Sequence, residues 1–180
     1  MRFLLALALA FGAAMLPTAG DPGSLVVTFL YMPPSAVEPT YHTAMWLEDT
    51  KGALVKTLFV SNELSANDYK IGDACPDWVK QAAWHTAEKS LVDAVTGATP
   101  NVGSGTMTFD LHALGIPPGS YVFNFQVHVT EKYNVRFRGK VDAGQTAQTL
   151  AIEVLHTDGE APSYAVVRDV DVRYLPRKPS

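Results

Sequence analysis

From residue 104 onward, apolar and polar side chains alternate with a period of two. Met107, Phe109 and Leu111 alternate with Thr108, Asp110 and His112. After the turn Gly115-Ile116-Pro117-Pro118-Gly119, the residues Tyr121, Phe123, Phe125, Val127 and Val129 point one way and Asn124, Gln126, His128 and Thr130 the other. That period predicts half-buried strands. Val135 and Phe137 carry it into the next strand, with Arg136, Arg138 and Lys140 on the opposite face. Two further strands are expected around Leu150, Ile152 and Val154 and from Tyr164 to Tyr174. Upstream, residues 24–31 form a strand closed by Pro33-Pro34, and residues 41–48 and 53–60 form a hairpin about Asp49-Thr50-Lys51-Gly52. Gly52 supplies the positive φ that such turns often need.

The period changes once. Residues 61–77 are polar and turn-rich, which predicts a loop. Residues 77–91 contain no Pro or Gly and carry Trp78, Ala82, Ala83, Trp84, Ala87 and Leu91, with Cys75-Pro76-Asp77 as a helix start. This predicts one amphipathic helix of three or four turns lying on the sandwich, with both tryptophans packed beneath it. About eight strands with closely spaced turns and one helical insertion predict an all-β fold, an antiparallel immunoglobulin-like β-sandwich, with a closed barrel as the fallback.

The N-terminus alters the picture of where this domain works. Met1-Arg2 precede an apolar run from Phe3 to Leu16 and then Pro17-Thr18-Ala19-Gly20. The run is too short for a membrane span of about 20 residues, and small residues follow it, so residues 1–20 read as a signal peptide cleaved after Ala19 or Gly20. A periplasmic or secreted protein is expected, with residues 21–180 as a single domain. The chain has 14 Lys and Arg against 18 Asp and Glu, a formal charge of −4. Nucleic acid is therefore not an expected partner, since binding it calls for a net basic face. Cys75 is the single cysteine, which excludes an intramolecular disulfide.

One stretch suggests chemistry: Asp93-Ala94-Val95-Thr96-Gly97-Ala98-Thr99. It resembles the acceptor motif of proteins to which an exported flavin transferase attaches FMN through a phosphoester on the final hydroxyl. The resemblance implies Thr99 as acceptor, Asp93 as the opening residue, and Thr96, Gly97 and Ala98 as the small-residue centre. A transferase must bring a bulky nucleotide's phosphorus to bonding distance of a hydroxyl. Exposed, deformable backbone with small neighbours such as Gly97 and Ala98 permits that approach. A chance match in a chain this long is on the order of one in a thousand. The same residues also suit an ordinary connection from helix to strand, with Gly97 after the helix and Pro100 preventing its return.

From about residue 25 to 141 the chain also resembles the predicted periplasmic proteins of the DUF2271 family. The matching residues are Ala44-Met45-Trp46-Leu47-Glu48-Asp49, Gly52-Ala53-Leu54-Val55-Lys56-Thr57-Leu58, Trp84, the stretch from Asp93 to Thr99, and Pro118-Gly119-Ser120-Tyr121. This resemblance implies an exported sandwich protein found in the company of flavin-transferring and membrane electron-transfer proteins. Residues 142–180 lie outside it and read as extra strands.

Weaker constellations remain. Arg136, Arg138 and Lys140 form a basic stripe that reads either as a solvated outer face or as a neutraliser of phosphate, including that of a flavin. His42, His85, His112, His128 and His156 show no metal-ligand spacing, and His112 and His128 are expected on adjoining strands of one hairpin. No nucleophile elbow or triad is recognisable. Two readings stay open: a carrier of FMN on Thr99 that partners a flavin transferase and a membrane redox protein, and a non-enzymatic immunoglobulin-like interaction module that binds a membrane or extracellular partner and whose residues 93–99 merely connect.

Overall fold

A computed structural model describes residues 20–32, 42–159 and 165–178. The signal peptide expected at residues 1–20 lies almost wholly outside the described residues, as do Pro33, Pro34 and Tyr164. Among the described residues ten strands form two sheets. They are β1 (Ser24–Tyr31), β2 (Thr43–Glu48), β3 (Leu54–Ser61), β4 (Thr96–Gly97), β5 (Gly103–Asp110), β6 (Gly119–Thr130), β7 (Tyr133–Ala143), β8 (Gln148–Thr149), β9 (Glu153–His156) and β10 (Val167–Leu175). The smaller sheet has the order β5-β1-β10-β8 and the larger β4-β3-β2-β6-β7-β9.

The alternating apolar residues face each other between the sheets. Leu25, Val27, Phe29 and Tyr31 of β1 share one buried cluster with Met45 and Leu47 of β2 and with Tyr121, Phe123, Phe125, Val127 and Val129 of β6. Phe29 and Phe125 meet across it with ring centroids 5.3 Å apart. The expected hairpin at residues 49–52 forms as read. Gly52 has φ +85°, and the Asp49 carboxylate accepts from the backbone N–H of Lys51 (2.8 Å) and Ala53 (2.9 Å).

All six residues of β2 are buried, because the larger sheet is covered on both faces. On its outer side lies a second cluster of Ala44, Trp46, Val60, Leu64, Ala74, Cys75, Trp78, Trp84 and Val95. The covering layer is three short helices, α1 (Asn62–Ala66), α2 (Pro76–Ala82) and α3 (Lys89–Val95), joined by 3-10 turns. This corrects two expectations. The polar stretch after Ser61 is not all loop: α1 inserts Leu64 into the outer cluster. The single helix over 77–91 is broken at Ala83, whose φ is +44°. At about 100° per residue, Trp78 and Trp84 would lie about 120° apart on one continuous helix. The break lets both enter the same cluster, ring centroids 5.0 Å apart, with Trp78 Nε1 donating to Thr57 Oγ1 (3.1 Å) and Trp84 Nε1 to the Ser65 carbonyl (3.1 Å).

Two more differences concern connectivity. The ladders are antiparallel except that β4 runs parallel to β3, because the helical layer is a crossover that returns the chain in the same direction. The β5–β6 segment is not a hairpin: β5 lies in the smaller sheet and β6 in the larger, so His112, in the connection between them, is not on a strand adjoining that of His128. The C-terminal strands are integral parts of the sandwich. β10 pairs with β1 along most of its length and contributes Val172 and Tyr174 to the core, and the Tyr174 hydroxyl accepts from the N–H groups of Gly23 (3.0 Å) and Gly144 (2.7 Å).

Candidate functional site

Residues 93–99 leave the helical layer and reach the edge of the larger sheet. Val95, the last residue of α3, anchors the segment by burying its side chain in the outer cluster. The next two residues turn extended and pair with β3, Thr96 opposite Val60 and Gly97 opposite Ser61. Pro100 has no N–H to donate, and the backbone is irregular from Ala98 to Val102 before β5 begins.

The structure gives the five motif residues unlike surroundings. Asp93 is exposed on α3 and paired with Lys89 one turn earlier, Nζ to Oδ1 2.8 Å. The Thr96 hydroxyl lies 2.9 Å from that of Ser65. Gly97 is half-buried against Phe59: a Cβ built there would stand 2.7 Å from the Phe59 ring. Ala98 is exposed and Thr99 half-buried in the irregular segment. Thr96 and Gly97 therefore serve the packing of the edge, while Ala98 and Thr99 lie beyond the last paired residue.

The basic stripe does not lie at the β4 edge. Thr96, Val60, Ala44, Gln126 and Arg136 are successive partners across β4, β3, β2, β6 and β7. Four steps of about 4.8 Å put the Arg136 backbone about 19 Å from that of Thr96. Nor is the stripe uniformly solvated. Lys140 is exposed, whereas the Arg136 side chain is 15% exposed, held by Asp77 (Nη1 to Oδ2, 3.3 Å) and lying over the Trp46 ring at 5.8 Å.

What the alternation concealed is a buried polar network between the larger sheet and the helical layer. Gln126 accepts from the Trp78 backbone N–H (3.3 Å) and donates to Asp77 (3.0 Å). Asn134 accepts from the Cys75 N–H (3.0 Å) and donates to the Asp73 carbonyl (2.8 Å). Glu48 accepts from Trp46 Nε1 and from Gln81, both at 2.9 Å. Cys75 is fully buried beside the carbonyls of His42 (3.4 Å) and Gln126 (3.7 Å), and burial pushes its thiol far above the ordinary range. It is not a nucleophile in this setting.

The rings of His42 and His128 lie 5.4 Å apart, with His42 Nε2 2.8 Å from Asp68 Oδ2 and His128 Nδ1 3.0 Å from the Asp73 carbonyl. Burial, and then the neighbouring His42, lower the His128 pKa. No local spacing signals this pair, since the β2–β6 register brings its members together. Among the described residues no group of three or more His, Cys, Asp or Glu side chains could hold a metal ion.

The model of a family of predicted periplasmic proteins, DUF2271, matches residues 32–157, more than two thirds of the chain. The protein belongs to this family, and its compartment is the periplasm. No helix among the described residues is long and apolar enough to cross a membrane. The match stops short of β1 and β10, the two central strands of the smaller sheet, which pair with each other. No curated protein and no solved structure matches the chain.

Proposed function

We propose that this protein is a periplasmic FMN carrier of extracytoplasmic electron transfer, an immunoglobulin-like sandwich with the flavin held as a phosphoester on Thr99. The observation that carries the reading is positional: Thr99 stands two residues past the last paired residue of an edge strand, preceded by an exposed alanine. A modifying enzyme can approach an edge from the side, and irregular backbone can be drawn into its active site without breaking a ladder. In the transfer, the Thr99 oxygen forms a bond to the phosphorus of a flavin dinucleotide as the phosphoanhydride P–O bond breaks. The nucleotide half leaves, and the hydroxyl proton passes to a base of the transferase. Asp93, Thr96, Gly97 and Ala98 complete the recognition sequence. The bound FMN would supply the redox chemistry, and the protein its placement and its access to a membrane redox partner.

Gly97 against Phe59, and Thr96 against Ser65, favour a second reading, an interaction module in which the stretch is a connector. Co-production with a flavin transferase, followed by in-gel flavin fluorescence of wild type and Thr99→Ala, separates the two. The carrier reading expects a fluorescent band that Thr99→Ala abolishes; an unlabelled wild type, or a band indifferent to the substitution, leaves the module.

A further inference from the structure

We propose that a cleft of about 420 Å³ between α2 and the β7–β9 edge, lined by Asp77, Arg136 and His156, is a binding site for a small carboxylate-bearing molecule. Its size lies within the range of small-molecule sites. It is independent of the flavin reading, because Arg136 lies four strands from β4.

The walls are polar and largely pre-organised. Gln126 is engaged by Trp78 and Asp77, and Asn134 by Cys75 and Asp73. Thr157 Oγ1 accepts from the Asn134 N–H (3.1 Å) and donates to its carbonyl (3.3 Å). One nitrogen of the lining residues differs: Arg136 Nε is buried and has no hydrogen-bond partner among the described residues. A buried donor without a partner costs about 1–3 kcal/mol, so one beside a cleft needs a reason.

The surroundings of Arg136 show what would satisfy it. Asp77 takes Nη1, and the guanidinium carbon lies 5.8 Å from the centre of the Trp46 ring. The remaining side-on fork, Nε with Nη2, has the geometry that receives a carboxylate through two parallel N–H···O bonds. Leu155 of β9 stands opposite Arg136 and closes the cleft from the edge. Because Nε lies below the water-accessible surface, binding requires a small rotation of the Arg136 side chain. The fork alone would take a carboxylate or a phosphate. The adjacent Asp77 carboxylate opposes a doubly charged phosphate more than a singly charged carboxylate group, which favours the carboxylate.

Calorimetric titration of the full chain with succinate, and separately with inorganic phosphate, tests the site. Saturable succinate binding is expected. It should weaken at least tenfold in Arg136→Gln and remain unchanged in Arg138→Gln, which alters a neighbouring cleft. Circular dichroism and a thermal melt establish that each variant is folded. Should Arg136→Gln not fold, Arg136→Lys, which keeps the charge and loses the fork, must show the same tenfold loss. No succinate binding, phosphate binding alone, or succinate binding unchanged by loss of the fork would overturn the proposal.

Discussion

The Phe59 ring occupies the space that a side chain on Gly97 would need, its Cε2 2.7 Å from the position of a Cβ. The glycine at the centre of residues 93–99 is thus required by packing, before any enzyme recognises it. Gly97→Ala must displace a ring that is nearly buried, and overpacking of this kind costs about 1–3 kcal/mol. Urea unfolding should show a midpoint lowered to match, and Phe59→Leu should relieve part of the loss in the double variant.

Asp93 gives the opposite expectation. Its ion pair among the described residues is an exposed i,i+4 contact with Lys89, worth about 0.5 kcal/mol or less. Asp93→Ala should therefore leave the urea midpoint almost unchanged while lowering the fraction of protein that a flavin transferase labels. A large loss of stability with unchanged labelling would remove Asp93 from the recognition sequence.

Stability should fall in mild acid. Burial, reinforced by His42, depresses the folded-state pKa of His128, against the raising effect of the Asp73 carbonyl and Asn134. The unfolded chain then binds the proton more readily than the folded one. The contribution is complete above the unfolded pKa of about 6.5 and is lost as pH falls through the depressed folded value. Denaturation midpoints measured from pH 7.5 down to pH 5 should decline, and His128→Gln should flatten that slope.

Cys75 should resist thiol reagents in the native protein, since it is fully buried and its thiol is held protonated. Ellman's reagent should react with one thiol in denaturant and with almost none before unfolding. Rapid labelling under native conditions would mean that the layer formed by α1 to α3 opens readily.

Much of the β framework was legible in the sequence. β1 spans the expected residues 24–31, the β2–β3 hairpin turns at the expected residues 49–52, and the long β6 covers the alternating run from Tyr121 to Val129. The covering of the larger sheet was not legible. Gln126 and Asn134 occupy positions that alternation assigns to solvent, yet they are buried, because they hydrogen-bond the helical layer to the sheet. Alternation records which side chains share a face and carries no information about what lies on it. The helix break at Ala83 was hidden for a related reason: no Pro or Gly marks it, and it serves the shared burial of Trp78 and Trp84. For residues 93–99, the order of side chains suggested a presented hydroxyl, while the pairing of Thr96 and Gly97 with β3 depends on a long-range contact that no local pattern reveals.

The most direct measurement is peptide mass spectrometry of the protein recovered from the periplasm of cells that also produce a flavin transferase. The carrier reading predicts a proteolytic fragment spanning residues 93–99 with the added mass of FMN, and fragmentation that assigns it to Thr99. An unmodified fragment recovered in full, or FMN assigned to a different residue, would contradict it.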